Sequence, residues 1–260
     1  FHDDLTGTSI PKAYTFTVND LVAVQLDFSK TLNNANGAIA RQINTQVQGT
    51  PIVVFNPLSI QREDIVEAKI STASEPTAIS VYDPSGNVVP AQIVGYENGQ
   101  LSFIFKANVP SLGYSTYDLR LNDETSASIQ GSLVTTMNTI ENNEYILKVN
   151  KNGDIYSIID KKQNNKELLK SPIQLSMQLD KPGYWASWEV SWGDITRDPF
   201  AYVDESVEVS VAEQGPLRSA LKITRSKNGS QFAQFIRMTS GVNEDRIDIV
   251  NEVDWQSKET

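Results

Sequence analysis

The sequence contains no cysteine and only one histidine, His2. The absence of cysteine excludes disulfides, thiolate zinc sites and cysteine nucleophiles. The rest of the chain has no histidine to complete a Ser-His-Asp triad, and it has no glycine-rich phosphate loop. No apolar run approaches the roughly 18 residues of a membrane span. These absences exclude enzymes that use a cysteine nucleophile, a Ser-His-Asp triad or a glycine-rich phosphate loop. We also expect no membrane partner.

Basic residues are scarce relative to acidic ones, with 22 Lys and Arg against 32 Asp and Glu, a net charge of −10. A strongly acidic protein repels the phosphate backbone of nucleic acids. We therefore expect no nucleic-acid partner. The charge balance is compatible with a neutral partner such as a sugar.

The spacing of apolar residues predicts one long helix over residues 19–48. Asn19 or Thr17 would cap its start, and Gly49-Thr50-Pro51 would end it. A single helix cannot bury its apolar stripe alone, so we expect partner helices upstream and interpret the chain as the back part of a larger protein. The stripe consists of Leu21, Val24, Phe28, Leu32, Ala35, Ile39 and Ile43.

Short apolar runs separated by turns follow Pro51 and predict a mainly β fold. Asn98-Gly99 has the signature of a tight hairpin, and Asn152-Gly153-Asp154 marks another. We expect an N-terminal helical segment, then a small β-sandwich and then a larger, truncated β-sandwich, with a polar linker over 122–132. The predicted boundaries are 1–49, 50–123 and 124–260.

His2 is followed by two carboxylates, Asp3 and Asp4, and then by a Thr-Gly-Thr-Ser turn. This is a candidate metal corner, but a catalytic zinc usually takes three protein ligands, so other ligands would have to lie elsewhere. The alternative is a histidine near a chain end beside solvated carboxylates. Consecutive side chains diverge, so Asp3 and Asp4 do not form the carboxylate pair that glycoside hydrolysis needs.

An aromatic segment over residues 182–194 holds three of the four tryptophans. Trp185 and Trp188 could stack on sugar rings, and the flanking Glu189 or Asp194 could accept hydroxyl hydrogen bonds. The alternative is that these tryptophans pack in a core, where most tryptophans lie. We expect Trp185 to be exposed at the tip and Trp192 to be core.

Five segments in order resemble glycoside hydrolase family 38, the retaining α-mannosidases. The first is Phe1-His2-Asp3-Asp4-Leu5-Thr6-Gly7-Thr8-Ser9, similar to the family's His-Asp-(Ala/Asp)-x-(Thr/Ser)-Gly-Thr segment, with Phe1 and Asp4 where many members have histidine and alanine. The resemblance covers most of the chain. The other four segments are Pro51 to Arg62, Asn142 to Leu168, Glu213 to Arg218 and Asn251 to Trp255.

The resemblance implies the C-terminal part of a retaining, metal-dependent exo-α-mannosidase that hydrolyses terminal α-mannose from oligosaccharides. It implies zinc as cofactor with His2 as one ligand, and Asp3 contacting sugar hydroxyls. Trp185, Trp188 and Glu189 would bind substrate. The nucleophile and other ligands would lie in a catalytic barrel upstream, so this chain alone should be inactive. Residues 124–260 would begin a galactose-mutarotase-like supersandwich.

A second hypothesis from a different class is a non-catalytic carbohydrate-binding or structural β-sandwich module, because sandwiches host many functions. The two hypotheses differ at His2. A binding module has no need of a His-Asp corner, whereas the enzyme needs it directed at the metal of the barrel.

Overall fold

The computed structural model describes residues 10–129, 131–181, 183–184 and 189–256. The chain divides into two compact units. One contains the described residues up to 45 and from 177 to 200. The other contains those from 46 to 176 and from 201 onward.

The first unit contains a long helix, α1, over Pro11–Ala40. The predicted helix is therefore confirmed in kind but displaced, because it begins and ends eight residues earlier than the predicted 19 and 48. Pro11 stands at the first helical position, where its fixed φ suits the helix and its missing N–H costs nothing. Ile43, Asn44 and Thr45 are weak helix formers, which explains why α1 ends before Gly49.

The predicted apolar stripe of α1 is exposed to solvent in the described part of the chain. Leu21, Phe28 and Leu32 have 55%, 72% and 60% of their surface accessible. A helix gains most of its stability from packing an apolar face, so this face has the character of a surface that packs against other helices. No helix among the described residues is long and apolar enough to cross a membrane.

A second helix, α2, is a single turn over Trp192–Ile195 in the same unit. All other regular structure among the described residues is β, which confirms the mainly β fold class. The strands are β1 Thr50–Asn56, β2 Arg62–Ser71, β3 Ile79–Tyr82, β4 Val88–Val89, β5 Ala91–Glu97, β6 Gln100–Val109, β7 Gly113–Leu121, β8 Val134–Thr135, β9 Thr139–Glu141, β10 Tyr145–Val149, β11 Ile155–Asp160, β12 Lys166–Glu167, β13 Ser176–Met177, β14 Ala201–Tyr202, β15 Glu205–Glu213, β16 Arg218–Lys227, β17 Ser230–Thr239 and β18 Asp248–Asp254.

Strands β1 to β7 form the first sandwich, in which the sheet β1-β7-β3-β4 packs against the sheet β2-β6-β5. The β5–β6 hairpin turns through Asn98 and Gly99, whose φ angles of +52° and +75° are those of the predicted tight turn. The apolar side chains between the sheets are Val81, Leu101, Phe103, Phe105, Ala107, Val109, Tyr117 and Leu119.

The second sandwich packs the sheet β12-β11-β10-β9-β8 against the sheet β15-β16-β17-β18. The predicted hairpin at Asn152-Gly153-Asp154 joins β10 and β11. The core of the second sandwich consists of Ile140, Leu147, Val149, Ile155, Leu221, Ile223, Ile236 and Met238.

A third, smaller core joins the two sandwiches within the second unit. Ile104, on the face of β6 opposite Phe103 and Phe105, packs with Leu217 and Val242. Because apolar side chains fill this junction, the two sandwiches form one compact unit. The boundaries 50–123 and 124–260 stay predictions.

The sheet β15-β16-β17-β18 has two unlike edges. β15 pairs with β16 through two register shifts, which twist that edge. β18 pairs with β17 without a shift over all of its seven residues. Ile249, Val250 and Val253 on β18 are exposed, so this edge is regular and partly apolar.

Candidate functional site

Most of the predicted metal and sugar-binding residues lie outside the described part of the chain. His2, Asp3, Trp185 and Trp188 are not among the residues that the structure describes, so their roles stay predictions. Glu189 is described, and it is exposed. Glu189 therefore has the accessibility that a hydrogen bond to a sugar hydroxyl requires.

The described aromatic residues of the 182–194 segment are exposed as well. Tyr184 has 81% and Trp192 has 77% of its surface accessible. The prediction that Trp192 packs in a core is wrong. Trp192 begins α2, after the cap residue Ser191, so its side chain does not continue a strand alternation from Val190.

Asp194 joins the two ends of the aromatic segment. Its Oδ2 accepts hydrogen bonds from the backbone N–H of Lys181 at 3.2 Å and from the hydroxyl of Ser191 at 2.8 Å. The Ser191 Oγ in turn accepts a hydrogen bond from the Asp194 backbone N–H at 3.1 Å, which caps α2. One carboxylate thus contacts residues on both sides of the segment.

The environment of Asp194 favours its charged form. The hydrogen bond from Ser191, the backbone N–H of Lys181 and the nearby guanidinium of Arg197 lower the pKa of the Asp194 carboxyl, against the opposing effect of desolvation. Asp194 is only 5% exposed, so the expectation that it could accept hydrogen bonds from a sugar is wrong. Its carboxylate stabilises the segment instead.

Gln92 on β5 connects the first sandwich to the start of β16 in the second. Its Oε1 accepts hydrogen bonds from the backbone N–H groups of Leu217 and Arg218 at 3.0 and 2.9 Å. Its Nε2 donates to the carbonyl oxygen of Arg218 at 2.9 Å. A Cβ at Gly215 would lie 2.2 Å from Cδ of Gln92, so only glycine leaves room for this amide. The Glu213 to Arg218 motif is therefore explained by packing around one buried side chain.

Arg218 holds a network of charges at the same junction. Its Nε and Nη2 contact the two carboxylate oxygens of Glu213 at 2.6 and 3.0 Å, and its Nη1 donates to Glu67. Burial lowers the pKa of Arg218, but its hydrogen bonds to the two carboxylates outweigh this effect, so the pKa is raised. The hydrogen bond from Arg218 is also the main cause that lowers the pKa of Glu67. The network is a structural one, since its charges are mutually paired.

Asn142, in the Asn-Asn-Glu-Tyr motif, is fully buried. Its Nδ2 donates to the carbonyl oxygens of Thr239 and Glu244 at 3.0 and 2.9 Å. Its Oδ1 accepts hydrogen bonds from the backbone N–H groups of Glu144 and Tyr145 at 3.0 and 2.8 Å. All four bonds are to backbone groups, so Asn142 fixes the turn before β10 to the end of β17.

The Asn-Gly-Asp turn between β10 and β11 is also fixed by burial. Gly153 has a φ of +79°, and a Cβ there would lie 2.7 Å from Cγ2 of Ile223. The next residue, Asp154, pairs with Arg225 at 3.1 Å, and both side chains are almost fully buried. Desolvation lowers the pKa of Arg225, and the charge of Asp154 opposes that effect.

The described residues do not themselves form a metal centre. Among them, no three His, Asp or Glu side chains are placed to hold an ion. The predicted zinc would therefore need ligands from outside the described residues. His2 is one such candidate ligand.

The comparison with known families finds a match that covers most of the second sandwich. Residues 140–260, just under half of the chain, match the family described as "Glycosyl hydrolases family 38 C-terminal domain". These residues are similar to a family 38 C-terminal domain. The match confirms the resemblance drawn from the motifs, because three of them lie within it: Asn142 to Leu168, Glu213 to Arg218 and Asn251 to Trp255.

Two solved structures share the fold of this chain over more residues than the family match covers. An alpha-mannosidase from Enterococcus faecalis V583, known from its crystal structure, is 16% identical to this chain in sequence. The TM-score is 0.50, and the match covers 80% of this chain and 30% of that one. A protein in the glycosyl hydrolase family 38 from Enterococcus faecalis is 13% identical, with a TM-score of 0.50 over 80% of this chain and 32% of that one. At these identities the likeness shows the fold alone, and the chain spans about a third of those proteins. A search of the curated proteins found no match.

Two described residues, Gln92 and Asp194, have structural roles that the sequence did not reveal. Gln92, in a strand, looks like an ordinary exposed position, and its partners lie 125 and 126 residues away. Asp194 follows Ser191 by three residues, a Ser-x-x-acid pattern that could have predicted the cap of α2. Its bond to Lys181 had no local signal.

Proposed function

We propose that this chain is the C-terminal part of a retaining, metal-dependent exo-α-mannosidase that hydrolyses terminal α-mannose from oligosaccharides. The observation that carries the proposal is the match of residues 140–260 to the family 38 C-terminal domain. The first nine residues support it, because they are similar to the family's His-Asp segment. In the complete enzyme this chain would lie beside a catalytic barrel of the same polypeptide.

Retention requires two carboxyl groups about 5 Å apart, one acting as nucleophile and the other as acid and base. The buried acids Asp154, Glu213 and Asp194 are each held by arginine or by backbone groups. The resemblance to family 38 assigns catalysis to the barrel. The role proposed for this chain is to contribute binding residues and to hold the sandwiches together.

The metal is a separate part of the proposal. The described residues do not fit a zinc ion, since no three potential ligands come together among them. His2 would supply one imidazole, and the remaining ligands would come from the barrel. When bound, zinc would act as a Lewis acid toward sugar hydroxyls. Asp3 would accept a hydrogen bond from one of those hydroxyls.

The activity can be tested by comparing this 260-residue chain with the complete polypeptide encoded by its gene. The complete polypeptide should release p-nitrophenol from the α-mannoside but not from the β-mannoside, with the first-formed mannose retaining its anomeric configuration by NMR. The chain alone should release none. Turnover by the purified chain would show that catalysis lies within it, and an inactive complete polypeptide would refute the mannosidase proposal.

His2→Ala in the complete polypeptide should lower zinc content, measured by mass spectrometry, together with activity. The 260-residue chain should bind little zinc, because one imidazole and one carboxylate compete poorly with water for the ion. A tetrahedral zinc on His2 within a single copy of the chain would contradict this assignment.

The alternative, a carbohydrate-binding or structural module, is favoured by one observation. Tyr184 and Trp192 are exposed, as expected of residues that stack on sugars. The sequence upstream separates the two proposals: a His-x-Asp motif that begins a β/α domain favours the enzyme, and another sandwich favours the module.

Trp185→Ala should weaken mannoside binding by about 1–3 kcal/mol if that side chain stacks. Trp255→Ala is the matched control, because Trp255 packs edge-on against Phe232.

A further inference from the structure

Two sets of hydrogen bonds join residues at the two ends of the segment that carries the exposed aromatic residues. We call Lys181, Ser191 and Asp194 the base of this segment. The Asp194 carboxylate joins Lys181 to Ser191. On the outside, Gln178 donates from Nε2 to the carbonyl oxygen of Arg197 at 3.2 Å. Both connect residues before the aromatic stretch with residues after it. The base is therefore fixed.

The base and the exposed residues of this segment differ in polarity and burial. Asp194 is a buried, charged group, and burying a charge is costly unless it is fully paired. Tyr184, Glu189 and Trp192 are exposed, so two large aromatic side chains are left in water. A rigid base that presents exposed aromatic and acidic side chains is typical of binding loops.

We propose that Asp194 is a positioning residue for mannoside binding, and this inference rests on the proposed function. By joining Lys181 to Ser191, Asp194 fixes two backbone positions that lie within three residues of Tyr184, Glu189 and Trp192. The aromatic faces stack on the C–H face of a pyranose ring, and Glu189 accepts a hydrogen bond from a hydroxyl group. Asp194 does not touch the sugar, since its carboxylate is already occupied.

A residue that acts through binding geometry should affect KM more than kcat. Asp194→Ala in the complete enzyme should raise KM for an aryl α-mannoside about tenfold and leave kcat within about twofold. Asp194→Asn keeps one oxygen that can accept the Lys181 N–H, so its KM should lie between those of the wild type and the alanine variant. Asp198→Ala is the matched control, because Asp198 is an exposed acid four residues away.

The connection itself is tested in the 260-residue chain, independently of activity. Exchange of the Lys181 amide, followed by NMR, should be slow in the wild type and in Asp198→Ala and fast in Asp194→Ala. Unchanged exchange in Asp194→Ala would refute the connection. Faster exchange with an unchanged KM in an active enzyme would overturn the positioning role and leave the mannosidase proposal standing. A complete enzyme without mannosidase activity would overturn both, whatever the exchange shows.

Discussion

Replacing Gln92 with methionine removes the hydrogen bonds that join the two sandwiches while it keeps the length of the side chain. Gln92 is 7% exposed and makes three hydrogen bonds to the backbone of Leu217 and Arg218. Methionine can neither donate a hydrogen bond to the carbonyl oxygen nor accept strong ones from the two N–H groups. Gln92→Met therefore leaves these three buried backbone groups without partners.

Each buried polar group left without a partner costs about 1–3 kcal/mol. The lower end of that range applies here if the junction admits water, which gives about 3 kcal/mol for the three groups. Urea unfolding has a slope of up to about 3 kcal/mol per molar for a protein of moderate size, so the midpoint should fall by about 1 M.

The matched control is Gln100→Met, in the strand adjacent to β5. Gln100 is exposed and makes one hydrogen bond, to the hydroxyl of Ser71 at 2.6 Å. A surface change of this kind should stay within about 0.5 kcal/mol. Circular dichroism and tryptophan fluorescence should be followed together, because a chain with two compact units can unfold in more than one step. A midpoint shift in Gln92→Met no larger than in Gln100→Met would refute the reasoning.

The remaining predictions concern a turn, a charge pair and a surface aromatic. Gly153→Ala should lower the unfolding free energy more than Gly229→Ala, because both glycines have positive φ, +79° and +78°, but only position 153 has atoms in the way. The left-handed backbone alone costs about 1–2 kcal/mol, so equal losses in urea would contradict the steric argument. Glu67→Gln should lower the melting temperature at neutral pH, and its difference from wild type should vanish as the pH falls through the lowered pKa of Glu67. The ionised form is the one that Arg218 stabilises, so a difference that grows in acid would exclude this pair. Trp192→Ala should change the unfolding free energy by less than about 0.5 kcal/mol, whereas a loss of about 3 kcal/mol would indicate a core position after all.

The elements that could be predicted from the sequence are those with a local signal. The β5–β6 hairpin was identified from Asn98-Gly99, because few other residue pairs adopt the positive φ angles of that turn. The strands β8, β9 and β12 have no sequence signal, since runs of two or three residues are too short to show a period. The helix α1 was displaced because Asn19 and Thr17 looked like better caps than Ile10, which caps it without a side-chain bond.

The candidate site was less predictable than the fold, because its contacts join residues that are distant in sequence. Glu189 was identified as a possible sugar ligand from its aromatic neighbours, and it is exposed as that role requires. The expectation that Trp192 is core fails because a helix begins after Ser191, so a strand alternation from Val190 does not continue to Trp192. The bond between Asp194 and Lys181 spans 13 residues and no periodic pattern reports it.

The unlike edges of the sheet β15-β16-β17-β18 bear on how copies of this chain would meet in concentrated solution. An unpaired, regular strand offers its backbone N–H and C=O groups to any other extended chain. A sheet with two such edges can add copies at both and grow into a fibre. Among the described strands of this sheet only β18 is such an edge, because the register shifts of β15 make the opposite edge irregular. Pairing through this sheet would thus stop at two copies, each occupying the other's free edge. For this sheet, the irregular strand β15 therefore limits the number of copies that can join edge to edge.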